Sequence, residues 1–228
     1  GGFGTVTSNL ADFADGVTIE GNGAKITANA SAFPVGVTSI ITLEGNNVAV
    51  RNLRFESNVA FDQFNTNPAT YRTKNIIGVT IGGKAASYNA IADNLSYYKS
   101  GAIVEGCTFK DIHSPVIMTE TSNGLISGNA ITSYNATAIV VWGCPENIEV
   151  SGNRVDLGAD DCVFLYNPKA SQSAWVSAGR YSGGHRVVGN QLSRTRAKFV
   201  GTGGYSDVLI AHNVGDLSLC QGINLEAD

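Results

Sequence analysis

Ile148-Glu149-Val150-Ser151-Gly152-Asn153 is the stretch on which the fold turns. Apolar and polar residues alternate over its first four positions, the period of a half-buried strand. It then closes on a small residue followed by asparagine. Gly124-Leu125-Ile126-Ser127-Gly128-Asn129 repeats the unit upstream and Arg186-Val187-Val188-Gly189-Asn190 repeats it downstream. Leu209-Ile210-Ala211-His212-Asn213 carries His in the glycine place, and Ile103-Val104-Glu105-Gly106-Cys107 carries Cys in the asparagine place. Gly16-Val17-Thr18-Ile19-Glu20-Gly21-Asn22 and Val48-Ala49-Val50-Arg51-Asn52 are earlier copies. Counted from the last residue of each copy, the steps 107→129, 129→153 and 190→213 are about 22–24 residues, a solenoid period. The step 153→190 is longer by one loop.

Each repeat holds two or three short strands; around Asn153 these are Ile148–Val150, Arg154–Leu157 and Cys162–Tyr166. Helical periodicity is weak, and only Leu10–Ala14 reads as a short capping helix. Leucine-rich repeats would need a helix per unit, and a β-propeller needs units of ~40 residues. The predicted fold is all-β: a right-handed parallel β-helix forming one domain over 1–228, with insertions at about 57–100 and 167–182. The Gly1-Gly2-Phe3-Gly4 opening and the Asn224-Leu225-Glu226-Ala227-Asp228 end read as those of a fragment of a longer chain. Asparagine suits a turn because it tolerates left-handed backbone, and stacked amides can form ladders.

Of the 228 residues, 43% are hydrophobic and 15% charged, which excludes a disordered chain. The 27 glycines and 5 prolines suit many tight turns between short strands. With a net charge of −4 and no Lys/Arg run, there is no basic face for nucleic acid. No apolar run approaches the ~20 residues of a membrane-spanning helix. Cys107, Cys144, Cys162 and Cys220 lack metal-ligand spacing and fall at different offsets in the repeat, so four reduced thiols and neither metal nor cofactor are expected.

If the anchors stack, equal offsets form columns. One column reads Glu120, Trp142, Tyr166, Gly203 and Glu226; another contains Asp160/Asp161 and Ala197/Lys198. Together they would flank a strand face with acids and aromatics. Adjacent carboxylates repel, which favours one protonated member and lets acid and base coexist near neutral pH. Asp160 and Asp161 are therefore the primary acid/base candidates, with Glu120 and Glu226 as partners for Asp161 about two coils away. Lys198 would hold one Asp ionised. Trp142, Tyr166, Trp175 and Tyr181 are candidate sugar platforms, and Arg196 a further substrate contact. The competing reading of the Asp pair is a turn cap. His113, His185 and His212 are scattered and read as structural.

Gly158-Ala159-Asp160-Asp161-Cys162 resembles the Asp-Asp-Cys motif of polygalacturonases and related inverting β-helix glycosidases. That family's Asn-Thr-Asp-Gly motif is matched only by Asn135-Ala136-Thr137-Ala138, with Thr137 in the Asp place. Arg196 stands near its His, Gly222–Glu226 lacks its Arg-x-Lys bases, and Gly183-Gly184-His185 falls on another strand. More broadly, Asn46-Asn47-Val48-Ala49-Val50-Arg51-Asn52-Leu53-Arg54-Phe55 is similar to an early coil of pectate-lyase-like β-helices, including phage tailspikes and depolymerases. The resemblance implies a polysaccharide substrate or receptor, a glycoside hydrolase activity, a homotrimer, and an extracellular or virion-surface location. Two other functions stay open: a non-catalytic glycan-binding or structural shaft, and a uronate lyase or epimerase.

Overall fold

A computed structural model describes residues 3–6, 10–12, 14–29, 36–58, 74–83, 98–143, 146–167, 177, 183–216 and 222–226. The chain is a parallel β-helix. Each coil crosses three sheets in turn; around Asn153 these are Glu149–Ser151 in sheet 1, Arg154–Gly158 in sheet 2 and Val163–Tyr166 in sheet 3. Among the described residues, sheet 1 has seven strands and sheets 2 and 3 have eight each. All ladders are parallel and in register, so Val116, Ile139, Val163, Val200 and Ile223 form one column of sheet 3.

Strand alternation fills the interior. Val104, Ile126, Val150 and Val187 stack from sheet 1 and are all fully buried. Phe55 and Phe109 stack inside sheet 2 with centroids 4.9 Å apart. Fully burying each such side chain is worth roughly 1.5–3 kcal/mol. Leu10–Asp12 is a strand of sheet 3 pairing with Gly36–Glu44 rather than the expected capping helix, because its backbone completes that ladder. Lys74–Gly82 is likewise a sheet 3 strand within the span 57–100.

The repeated asparagine forms the corner between sheets 1 and 2. The left-handed residue there is the one before it: Gly106, Gly128, Gly152, Gly189 and His212. The asparagines themselves are buried. Asn129 donates its backbone N–H and its Nδ2 to Asn153 Oδ1, both at 3.0 Å. Asn153 does the same to Asn190 Oδ1, and Asn190 to Asn213 Oδ1. Each Nδ2 also reaches a carbonyl of the coil before, Val104, Ile126, Val150 or Val187. Cys107 ends the row: its N–H donates to Asn129 Oδ1, and its thiol points to Val50 O at 3.7 Å. Leu53, not Asn52, occupies this column in the preceding coil, since Glu105 pairs with Arg51.

Candidate functional site

Sheet 3 carries the chemistry. In Gly36–Glu44, Leu43 faces the core and Glu44 the opposite side. The outward row then runs Glu44, Gly82, Thr119, Trp142, Tyr166, Gly203 and Glu226, one residue per coil. The spacing in sequence brings Trp142 beside Tyr166 as expected; their rings are 5.0 Å apart, and Phe164 stacks on Tyr166 at 5.8 Å. All three are half-buried. Behind Trp142, Ile77, Ile117 and Val140 form an apolar cluster separate from the interior.

Glu120 falls one place beyond the row it was assigned to; Thr119 takes that place. The slip arises because Glu120 begins the next corner with a left-handed backbone at φ 43. Left-handed geometry costs a residue with a Cβ roughly 1–2 kcal/mol. Most other non-glycine left-handed residues here are Asn or Asp, such as Asn47, Asn123 and Asn147. The next coil has Gly143 at this place, at φ 60, and the Glu120 carboxyl fills the space above it: a Cβ on Gly143 would lie 2.5 Å from Glu120 Oε1. Glu120 is 2% exposed and neither carboxyl oxygen makes a hydrogen bond of ordinary geometry. Burial pushes its pKa up to about 8, opposed by the Tyr98 hydroxyl. At neutral pH it is a carboxylic acid holding a proton to give.

The Asp160–Asp161 corner is built differently. Tyr134, fully buried, donates its hydroxyl to the Asp160 carbonyl and to Cys162 Sγ, both at 3.3 Å. Thr195 Oγ1 also donates to the Asp160 carbonyl. The Tyr134 ring occupies the space of a side chain at position 158, where a Cβ would lie 1.8 Å from Cζ, so Gly158 is required. Asp161 is buried and Oδ1 accepts the Lys198 N–H at 2.9 Å, while the Asp160 side chain is exposed. These are the bonds of a turn cap. Lys198 does share the Asp161 column, and its Nζ sits 5.9 Å from the Phe164 ring centre.

The structure separates Asp161 from its assigned partners. Glu120 lies level with the residue after Tyr166, so roughly six strand residues at ~3.3 Å each lie between the two levels, with two strand spacings across. Glu226 pairs with Gly203 and so falls at the Glu120 end too. Both separations exceed the ~6.5–9.5 Å of an inverting carboxyl pair. The register does not bring Asp161 together with Glu120 or Glu226, because these residues differ in position along the strand as well as in coil.

Arg196 sits on the Asp161 side, where its N–H donates to Gly158 O. Trp175 and Tyr181, and Cys144 and Cys220, lie outside the described residues. Cys107 and Cys162 are free and buried, and burial raises their thiols to about 11 and about 12. His185 is fully buried on sheet 1, where Nδ1 accepts the Ile148 N–H at 3.2 Å and its ring meets Tyr205 edge-on. Among the described residues no group of three or more His, Cys, Asp or Glu could hold a metal ion, and no helix is long and apolar enough to cross a membrane.

The chain is similar in structure to a lacto-N-biosidase of glycoside hydrolase family GH136 from Eubacterium ramulus, with a TM-score of 0.43 and 9% identity over 94% of this chain and 60% of that one. It is similar to the Dettilon tailspike protein, with a TM-score of 0.36 and 11% identity over 98% of this chain and 61% of that one. A third similarity is to the enzymatically active domain of tailspike protein 2 of bacteriophage CBA120, with a TM-score of 0.20 and 8% identity over 94% of this chain and 36% of that one. The chain thus spans about 60% of the length of the first two. No family model and no curated protein matches it in sequence.

Proposed function

We propose that the chain binds a polysaccharide against the outer face of sheet 3 and cleaves a glycosidic bond there, with Glu120 as proton donor. The observation that carries this reading is Glu120 itself. It combines a left-handed backbone, full burial and a carboxyl that makes no hydrogen bond of ordinary geometry among the described residues. Trp142 and Tyr166, on the adjoining row, supply flat apolar faces suited to sugar rings. A glycoside hydrolase needs an acid protonated near neutral pH to give a proton to the leaving oxygen. Burial prepares Glu120 for that task.

The test is a panel of capsular and plant polysaccharides incubated with the wild type and with Glu120→Gln, read for new reducing ends. Release by the wild type and loss in the variant is the expected result. Binding without release would leave a non-catalytic glycan shaft, and products absorbing near the unsaturated-uronate band would indicate a lyase. Full activity in Glu120→Gln would remove the site.

A further inference from the structure

We infer that Tyr98 is the positioning residue of this site: its hydroxyl holds the Glu120 carboxyl over Gly143 and sets the pH range in which that carboxyl can act as an acid. The inference rests on the reading of Glu120 as proton donor. Nothing in the repeat singles Tyr98 out; the short ladder that follows it does. Lys99–Ser100 runs parallel to Thr121–Ser122, with Lys99 opposite Thr121. The Lys99 N–H donates to Glu120 O at 2.9 Å. Tyr98, one residue earlier, therefore stands level with Glu120 on the neighbouring strand, about 4.8 Å away.

The Glu120 side chain leaves its strand on the far side from Tyr98. Its Oε1, Cδ and Oε2 lie 2.5, 2.9 and 3.0 Å from a Cβ placed on Gly143, so the carboxyl rests where a side chain at 143 would stand. Tyrosine is long enough to cross one strand spacing, and the Tyr98 hydroxyl meets that carboxyl. Trp142 immediately precedes Gly143, so the carboxyl adjoins the Trp142–Tyr166 pair. Tyr98 is half-buried, between the buried acid and solvent. Lys99 and Glu146 belong to the same corner, and Glu44 and Tyr166 lie two strand spacings off in sheet 3. Among the described residues, burial and the Tyr98 hydroxyl are the two influences on the Glu120 carboxyl.

The two influences oppose each other. Burial disfavours the charged form, and an O–H that donates to the carboxylate favours it. An acid that turns over must give its proton and regain one, so its hold on the proton has to match the working pH. Burial alone would leave Glu120 holding its proton too tightly. Once Glu120 has given that proton to the leaving oxygen, the Tyr98 O–H donates to the anion that remains.

The experiment is a set of denaturant titrations, from about pH 4 to about pH 9.5, of wild type, Tyr98→Phe, Glu120→Gln and the double variant. The folded Glu120 carboxyl keeps its proton to about pH 8, so its contribution to stability should fall as pH rises from about 4.5 and level off near 8. In Tyr98→Phe the fall should continue to a pH about one unit higher, and the difference should vanish in the Glu120→Gln background. On the polysaccharide that the wild type cleaves in the panel, the alkaline limb of kcat/KM should move up by the same amount. A ring that merely packs would move neither. Equal pH dependence in wild type and Tyr98→Phe, or a difference that persists with Glu120→Gln, overturns the inference while Glu120 stands as proton donor. If Tyr98→Phe does not fold, the infrared difference between wild type and Glu120→Gln decides. A protonated-acid carbonyl band at the frequency of a hydrogen-bonded acid supports the contact, and one at that of a free acid overturns it. Absence of reducing ends with the wild type on every polysaccharide overturns the cleavage reading and the working-pH role with it, a result the titrations cannot produce.

Discussion

Two corners of the β-helix, two coils apart, bury polar side chains in opposite ways. At the corner between sheets 1 and 2, Asn153 is 1% exposed, accepts two hydrogen bonds from Asn129 and donates to Asn190 Oδ1 and Ile126 O. At the end of sheet 3, Glu120 is 2% exposed and its carboxyl makes none of ordinary geometry. The asparagine row lets glycines or His212 take the left-handed place, whereas Glu120 takes it itself. Full satisfaction marks a part of the architecture. Uncompensated cost marks a residue retained for what it does.

The comparison is most sharply tested at Glu120. Glu120→Gln should reduce cleavage about 1,000-fold, roughly 4 kcal/mol of barrier. It should also gain stability with pH. The carboxyl ionises near 4.5 when unfolded and about 8 when folded, so the folded wild type holds more protons between these values and loses stability as pH rises. The advantage of glutamine is absent below about pH 4.5, grows to about pH 8 and is constant above; denaturant titrations across this range would measure it. A pH-independent difference would break the contrast.

Asn153→Ala should cost about 3 kcal/mol or more, because it strands the Asn129 donors and the Ile126 carbonyl inside the protein. Its thermal midpoint should fall well below that of Glu120→Gln. An unchanged midpoint would show that the ladder contributes nothing. Trp142→Ala should weaken glycan binding by about 1–2 kcal/mol in calorimetry while leaving the pH dependence of Glu120 stability in place. Asp161→Asn keeps an oxygen to accept the Lys198 N–H, so stability should change by about 1 kcal/mol or less and cleavage should persist. Loss of cleavage in that variant would return the acid/base role to the Asp pair.

The fold was legible because the repeat unit is short and its asparagines lie at one place in the coil. From Cys107 onward the spacing also recovers the Trp142–Tyr166 and Asp161–Lys198 columns. Register fails where the backbone leaves the strand: Glu120 moves by one place at a left-handed corner, and Asn52 precedes its column because Leu53 fills it. The Asp160–Asp161 pair attracted attention as chemistry, yet the Asp160 carbonyl and the Asp161 carboxylate serve as hydrogen-bond acceptors for the corner.

The asparagine ladder has a further consequence, for how such a chain can change length. Every step from Asn129 to Asn213 is the same module: two donors handed forward to the next amide oxygen and one donor handed back to a carbonyl. The step of 37 residues between Asn153 and Asn190 makes the same bonds as the step of 24 between Asn129 and Asn153. What a coil carries on its outside is thereby uncoupled from how it joins its neighbours. Duplicating or deleting a whole unit leaves identical joints on either side, so evolution can lengthen the rod or enlarge a loop without redesigning the corner.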